Sequence, residues 1–130
     1  MVYRTRKSNK YSARKTVYDG CKYDSKFEAS VAQQLDLEKR AGQILDYDRQ
    51  YRVDMYAYSQ CGTRKMRKSH KVDFRVHNLD GTFTLLEAKG FETAHWKECV
   101  KWLDTFFLPV NPDYDYEVVY QRKQAWRPKQ

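Results

Sequence analysis

Hydrophobic and polar positions repeat with different periods along the chain, and each change of period predicts a boundary. Residues 1–15 are polar and aperiodic, which predicts a flexible basic arm. Thr16 to Tyr23 fits a short hairpin turning at Asp19-Gly20. From about Ser25 the apolar positions Phe27, Val31 and Leu35 form the stripe of an amphipathic helix, and Gly42 is its stop signal. Ile44 to Tyr58 reads as strand, with Tyr51, Val53, Met55 and Ala57 alternating against Arg52, Asp54, Tyr56 and Tyr58. A basic loop at residues 59–70 leads to a strand at Lys71–His77, and Asn78-Leu79-Asp80-Gly81 turns the chain into another at Thr82–Lys89. Trp96, Val100, Leu103 and Phe107 share one face of a second helix over about Thr93–Phe107, closed by Pro109 and Pro112. Tyr116–Gln121 reads as a final strand. The order helix, three strands, helix, strand predicts an α/β domain with a mixed central β-sheet flanked by helices.

Composition narrows this picture. A chain of 130 residues holds one compact domain, expected at residues 16–121, and 41% hydrophobic with 15% aromatic residues argues against wholesale disorder. No run approaches the ~18 apolar residues of a membrane span, and the basic N-terminus leads into no signal-peptide core. Cys21, Cys61 and Cys99 are odd in number and far apart, which excludes a disulfide scaffold and a Cys-x-x-Cys zinc pair and predicts a reducing, cytoplasmic setting.

The net charge of +8 is unevenly spread. Six basic residues (Arg4, Arg6, Lys7, Lys10, Arg14 and Lys15) precede the first acidic one. Five more (Arg64, Lys65, Arg67, Lys68 and Lys71) cluster in mid-chain, and residues 122–130 form a basic tail. The remainder is acidic. Basic appendages around a carboxylate-bearing body suit a gripped polyanion, and the mid-chain cluster favours nucleic acid over a merely solubilising role. No basic segment has the amphipathic apolar face that a membrane surface requires.

The candidate chemistry lies in Val72-Asp73-Phe74 and, fourteen residues beyond Asp73, Glu87-Ala88-Lys89. Glu87 and Lys89 are two apart on a strand and share a face. With a three-residue loop at Leu79–Gly81, Asp73 lies opposite Glu87; with a two-residue loop it faces the other side. Opposed carboxylates repel, and a divalent cation reverses that sign. Magnesium takes oxygen ligands and uses one or two carboxylates with waters and a phosphate. Lys89 is then suited to orient the attacking water and to offset negative charge on the phosphorane.

Glu28 is a third candidate with two readings. Ser25-Lys26-Phe27-Glu28 fits a capping box, in which Glu28 bonds the cap's backbone N–H. On the helical wheel Glu28 also lies at the edge of the buried stripe, where a carboxylate needs a partner and a metal supplies one.

Asp73 and Glu87-x-Lys89, preceded by a helical glutamate, resemble the PD-(D/E)XK nuclease superfamily. The wider context of Tyr18-Asp19-Gly20, Tyr23-Asp24-Ser25-Lys26-Phe27-Glu28-Ala29, Arg49-Gln50 and Glu87-Ala88-Lys89-Gly90, with Thr93 and Trp96, is similar to small phage-encoded endonucleases of the endonuclease I type, which resolve Holliday junctions. Glu28 and Gln50 also resemble the TnsA type of transposon endonuclease. The resemblance covers roughly residues 16–101, with Val72 standing where the superfamily name has proline.

It implies a restriction-endonuclease-like core and a metal-dependent endodeoxyribonuclease acting on branched or double-stranded DNA. It further implies one or two magnesium ions, with manganese as a substitute, held by Glu28, Asp73 and Glu87. Lys89 positions the water, and Gln50 lies near the site. Paired cuts need two chains, so a homodimer is expected. The alternative is a non-catalytic DNA-binding module or a DNA-packaging accessory protein with the same fold. Lys97 and Lys101, four apart on the second helix, suit either phosphate contact or a solvated helix face. His70 suits either a phosphate contact or a bystander role.

Overall fold

The computed structural model describes residues 15–63 and 65–121. Arg4, Arg6, Lys7, Lys10, Arg14, Arg64 and the tail at residues 122–130 lie outside the described residues. Strands β1 (Thr16–Tyr18) and β2 (Cys21–Tyr23) form an antiparallel hairpin. Asp19 and Gly20 both have positive φ, 52° and 78°, the geometry that an Asp-Gly turn between twisted strands requires. Helix α1 (Lys26–Arg40) follows, with the Ser25 side chain accepting from the Glu28 N–H at its N-terminus. Asp36 on α1 accepts from the hydroxyls of Tyr18 (2.6 Å) and Tyr47 (2.8 Å), fastening hairpin and sheet to the helix.

The main sheet has the order β3-β4-β5-β6, from β3 (Ile44–Tyr58), β4 (Lys65–Asn78), β5 (Phe83–Lys89) and β6 (Tyr114–Tyr120). Its first two ladders are antiparallel, and β6 runs parallel to β5, so the sheet is mixed. A parallel pair needs a long crossover. Here it is supplied by α2 (Ala94–Trp102), a π-helical turn at Leu103–Phe107 and a 3₁₀ turn at Leu108–Val110. Thr93 caps α2 by accepting from the Trp96 N–H. The second helix is therefore shorter and less regular than its apolar spacing predicts, its hydrogen bonding loosening ahead of Pro109. Two cores result. Ala29, Val31, Ala32 and Leu35 of α1 pack with Phe74, Val76 and Leu86 on one face of the sheet. On the other face Leu103 packs with Val53, Met55, Val72 and Leu85. No helix among the described residues is long and apolar enough to cross a membrane.

One expectation is corrected. Lys65 to His70 do not belong to a loop: they are the first part of β4, paired with β3 from Tyr58↔Lys65 to Val53↔His70. Cross-strand partners on β3 hold this basic run extended, which residue type alone does not reveal.

Leu103 is fully buried, so Leu103→Ala is expected to destabilise the fold by about 2–5 kcal/mol through lost burial and a residual cavity. Leu79→Ala, at an exposed turn, should change stability by less than about 0.5 kcal/mol. Urea denaturation followed by tryptophan fluorescence measures both.

Candidate active site

The Asn78–Thr82 turn sets the register of everything downstream. Asn78 N–H donates to Thr82 O (2.9 Å), and Gly81, at φ 90°, closes a three-residue loop. His77 then pairs with Phe83, and Phe74 with Leu86. One step further, this register puts Asp73 beside Glu87, but the ladder stops at Phe74↔Leu86. Beyond it β4 pairs with β3 alone, and β5 pairs with β6 alone through Lys89↔Tyr120. The sheet forks there.

Asp73 occupies the fork, and its Oδ2 accepts from the Ala88 N–H at 2.8 Å, a donor that a continuing β4 would otherwise have engaged. The strands change faces at the same point. Arg49 and Phe74, a paired position, lie toward α1, with the Arg49 guanidinium 4.0 Å from the Tyr23 ring centre. Tyr51 and Val72, the pair two residues on, lie toward Leu103. Regular strands keep such positions on one side. Gln50 and Asp73 are thus the residues about which the alternation reverses, and Gln50 adopts a left-handed φ of 51°. That conformation costs a non-glycine residue about 1 kcal/mol or more.

The strained residue makes a site contact: Gln50 Nε2 donates to Glu28 Oε2 at 3.0 Å. Glu28 is buried on α1 and forms only half of a capping box. Its N–H bonds Ser25, while its carboxylate is engaged by Gln50 and the Asp24 backbone. Burial and the nearby Asp24 charge raise its pKa. Glu87, 3% exposed, lies on the α2 face of the fork. Its Oε1 accepts from Tyr116 Oη (2.5 Å) and Trp96 Nε1 (2.8 Å), and lies 3.1 Å from His70 Nε2. Burial pushes Glu87 up, but these partners outweigh it and hold the carboxyl below its ordinary range. Asp73 has no such escort. Burial first, then the charges of Glu28 and Glu87, push it up to about 7, against weaker opposition from the Ala88 N–H and Lys89. Lys89 holds its ammonium 5.1 Å from the Trp96 ring centre.

The fork therefore gathers Asp73, Glu28, Glu87, Lys89 and Gln50 from four elements. It does not close them into a cage: no three His, Cys, Asp or Glu side chains among the described residues form a group placed to hold a metal ion. Three hard carboxylates nonetheless suit magnesium, which needs only one or two of them besides water and phosphate. Sequence reasoning missed Tyr116, Trp96 and His70 as the partners that organise Glu87. Only the tertiary fold brings them together, from β6, α2 and β4.

The other expected DNA contacts are scattered. Lys15 pairs with Asp24 (3.0 Å), and Lys97 lies 4.0 Å from Glu92, both at the surface. Lys101 is exposed on α2. Lys65, Arg67 and Lys71 are exposed on β4, whereas Lys68 turns to the opposite side, 6.0 Å from the Trp102 ring centre.

Fold and site define a mixed α/β protein with a carboxylate-lined fork in its sheet. The chain belongs to the family described as protein of unknown function (DUF1064), whose profile matches residues 8–121. No curated protein and no solved structure matches it.

An aspartate pKa raised on folding contributes stability below its ordinary value of 3.8 and loses it as pH rises through about 7. In chelator, the stability of Asp73→Asn relative to the wild type should rise by about 1–3 kcal/mol between pH 5 and pH 8, the amide still accepting from Ala88. Thermal denaturation at the two pH values decides this. Equal differences at both would contradict the assignment.

Proposed function

We propose that the protein is a metal-dependent endodeoxyribonuclease that hydrolyses phosphodiester bonds in branched, Holliday-junction-like or double-stranded DNA. The observation that carries this reading is Asp73, a half-buried carboxylate flanked by two more, whose only hydrogen-bond partner among the described residues is a backbone N–H. Excess negative charge of this kind is costly to a fold and useful to a cation site.

Asp73, Glu28 and Glu87 would hold magnesium or manganese, which supplies Lewis-acid polarisation of the phosphodiester and an activated water. The chain's own residues divide the remaining work. Tyr116, Trp96 and His70 fix the orientation of Glu87 and keep it ionised. Gln50 aims Glu28 at the fork. Lys89, two residues from Glu87 and on the same side, orients the water and offsets charge developing on the phosphorane. Its contact with the Trp96 face limits its wandering.

One centre cuts one strand, so paired cuts require two chains, and a symmetric homodimer is the simplest assembly. A sedimentation profile that stayed monomeric both free and on DNA would contradict the dimer.

The decisive assay is cleavage of a synthetic four-way junction beside a matched duplex. Cutting should require magnesium or manganese, stop with EDTA, and fall by at least about a thousandfold in Glu87→Ala while binding is retained. Junction-only cutting would define a resolvase, and cutting of both a general endonuclease. Binding of both without cutting in either metal would replace this reading with a non-catalytic DNA-binding module.

A further inference from the structure

Beyond the fork, β3 and β4 continue as a two-stranded ribbon of eight paired positions, from Tyr51↔Val72 to Tyr58↔Lys65. At a strand's rise per residue this is about 25 Å long. Its two faces differ sharply. One is anchored, with Val53, Met55 and Val72 packed on Leu103. The other carries Arg52↔Lys71, Asp54↔Ser69, Tyr56↔Arg67 and Tyr58↔Lys65.

Four of those eight side chains are cationic and one is anionic. The single acid is already engaged, since Asp54 Oδ1 accepts from Arg52 Nε (3.0 Å) and Ser69 Oγ (2.5 Å). Lys65, Arg67 and Lys71 are exposed and make no salt bridge among the described residues. Lys65 also lies 5.0 Å from the Tyr56 ring centre, which keeps its ammonium on this side of the ribbon.

We propose that this face of the β3–β4 ribbon is a docking surface for duplex DNA, entering the major groove and leading the backbone to the fork. The inference rests on the nuclease reading for its substrate and deepens it by assigning how a duplex arm is held. Charge complementarity selects a polyanion. The strands lie about 5 Å apart, so with side chains the ribbon suits a major groove about 12 Å wide, which admits a two-stranded β-ribbon. The base of the same face adjoins Gln50 and Asp73, so groove docking and delivery to the carboxylates are continuous along the two strands. Lysine and arginine directed at phosphates hold the duplex without reading its sequence.

The test is fluorescence anisotropy of a labelled DNA duplex of about 30 base pairs, titrated in EDTA so that no cutting intervenes. Lys65→Gln/Arg67→Gln removes two exposed ribbon charges. Lys39→Gln/Arg40→Gln removes two from the last turn of α1, near the opposite end of β3. The ribbon variant should bind about tenfold more weakly, with the log–log salt slope reduced by about two, and the α1 variant should bind as wild type. An A-form RNA duplex, whose major groove is too narrow and deep to admit the ribbon, should show no extra loss in the ribbon variant. Equal losses in both variants, no loss in the ribbon variant, or the same loss on RNA would overturn the proposal. Magnesium-dependent cutting of the same DNA is scored separately. A ribbon loss without wild-type cutting under any divalent metal keeps the docking surface and removes the nuclease, and cutting without a ribbon loss does the reverse.

Discussion

A buried carboxylate must find donors, and Glu87 finds its partners on three different elements: His70 on β4, Trp96 on α2 and Tyr116 on β6. All three meet a single oxygen, Oε1. That convergence ties the crossover helix and the parallel edge strand to the strand that leaves the sheet. It also holds the Glu87 carboxyl below its ordinary range against the upward push of burial. The fork owes its shape to this arrangement, because β4 departs from β5 yet remains in contact with it through His70. Asp73 and Glu28 gather around the same opening, but with weaker support, and their pKa values rise instead of falling.

The two behaviours divide the labour within one cluster. Glu87 is a fixed charge. Asp73 changes charge near neutral pH, and its ionisation is resisted by two neighbouring carboxylates more than it is helped by Lys89. A cation bound there, as proposed, would remove that resistance. Strain at Gln50 points the same way: an exposed residue holds a left-handed backbone, and the contact it gains is with Glu28. Strained backbone that delivers a side chain to a carboxylate cluster is more readily explained by a site than by stability.

Much of this was legible in the sequence wherever a local rule governed. Asp19-Gly20 specified its turn, Ser25 its cap, and the Asn78–Gly81 segment a loop whose three-residue form brings Asp73 next to Glu87. The apolar faces of both helices were legible for the same reason. What escaped was set by tertiary pairing. Lys65–His70 carries too much charge to look like strand, and only its partners on β3 hold it extended. The reversal at Gln50 and Asp73 leaves no periodic signal, since one residue on each strand shifts the alternation and the flanking segments look regular. Tyr116 reads only as part of a strand, because its hydroxyl's role depends on a carboxylate more than twenty-five residues away. The capping-box glutamate was ambiguous for a sound physical reason, as Glu28 serves the helix terminus through its backbone and faces the fork through its side chain.

The central claim is that the carboxylates of the fork form one divalent-cation site. Manganese titration, followed by the paramagnetic resonance of the free ion, tests it without any nucleic acid. The account predicts one or two ions bound per chain, with affinity reduced at least about tenfold in both Asp73→Asn and Glu28→Gln. No bound ion in the wild type, or equal binding in all three proteins, would contradict it.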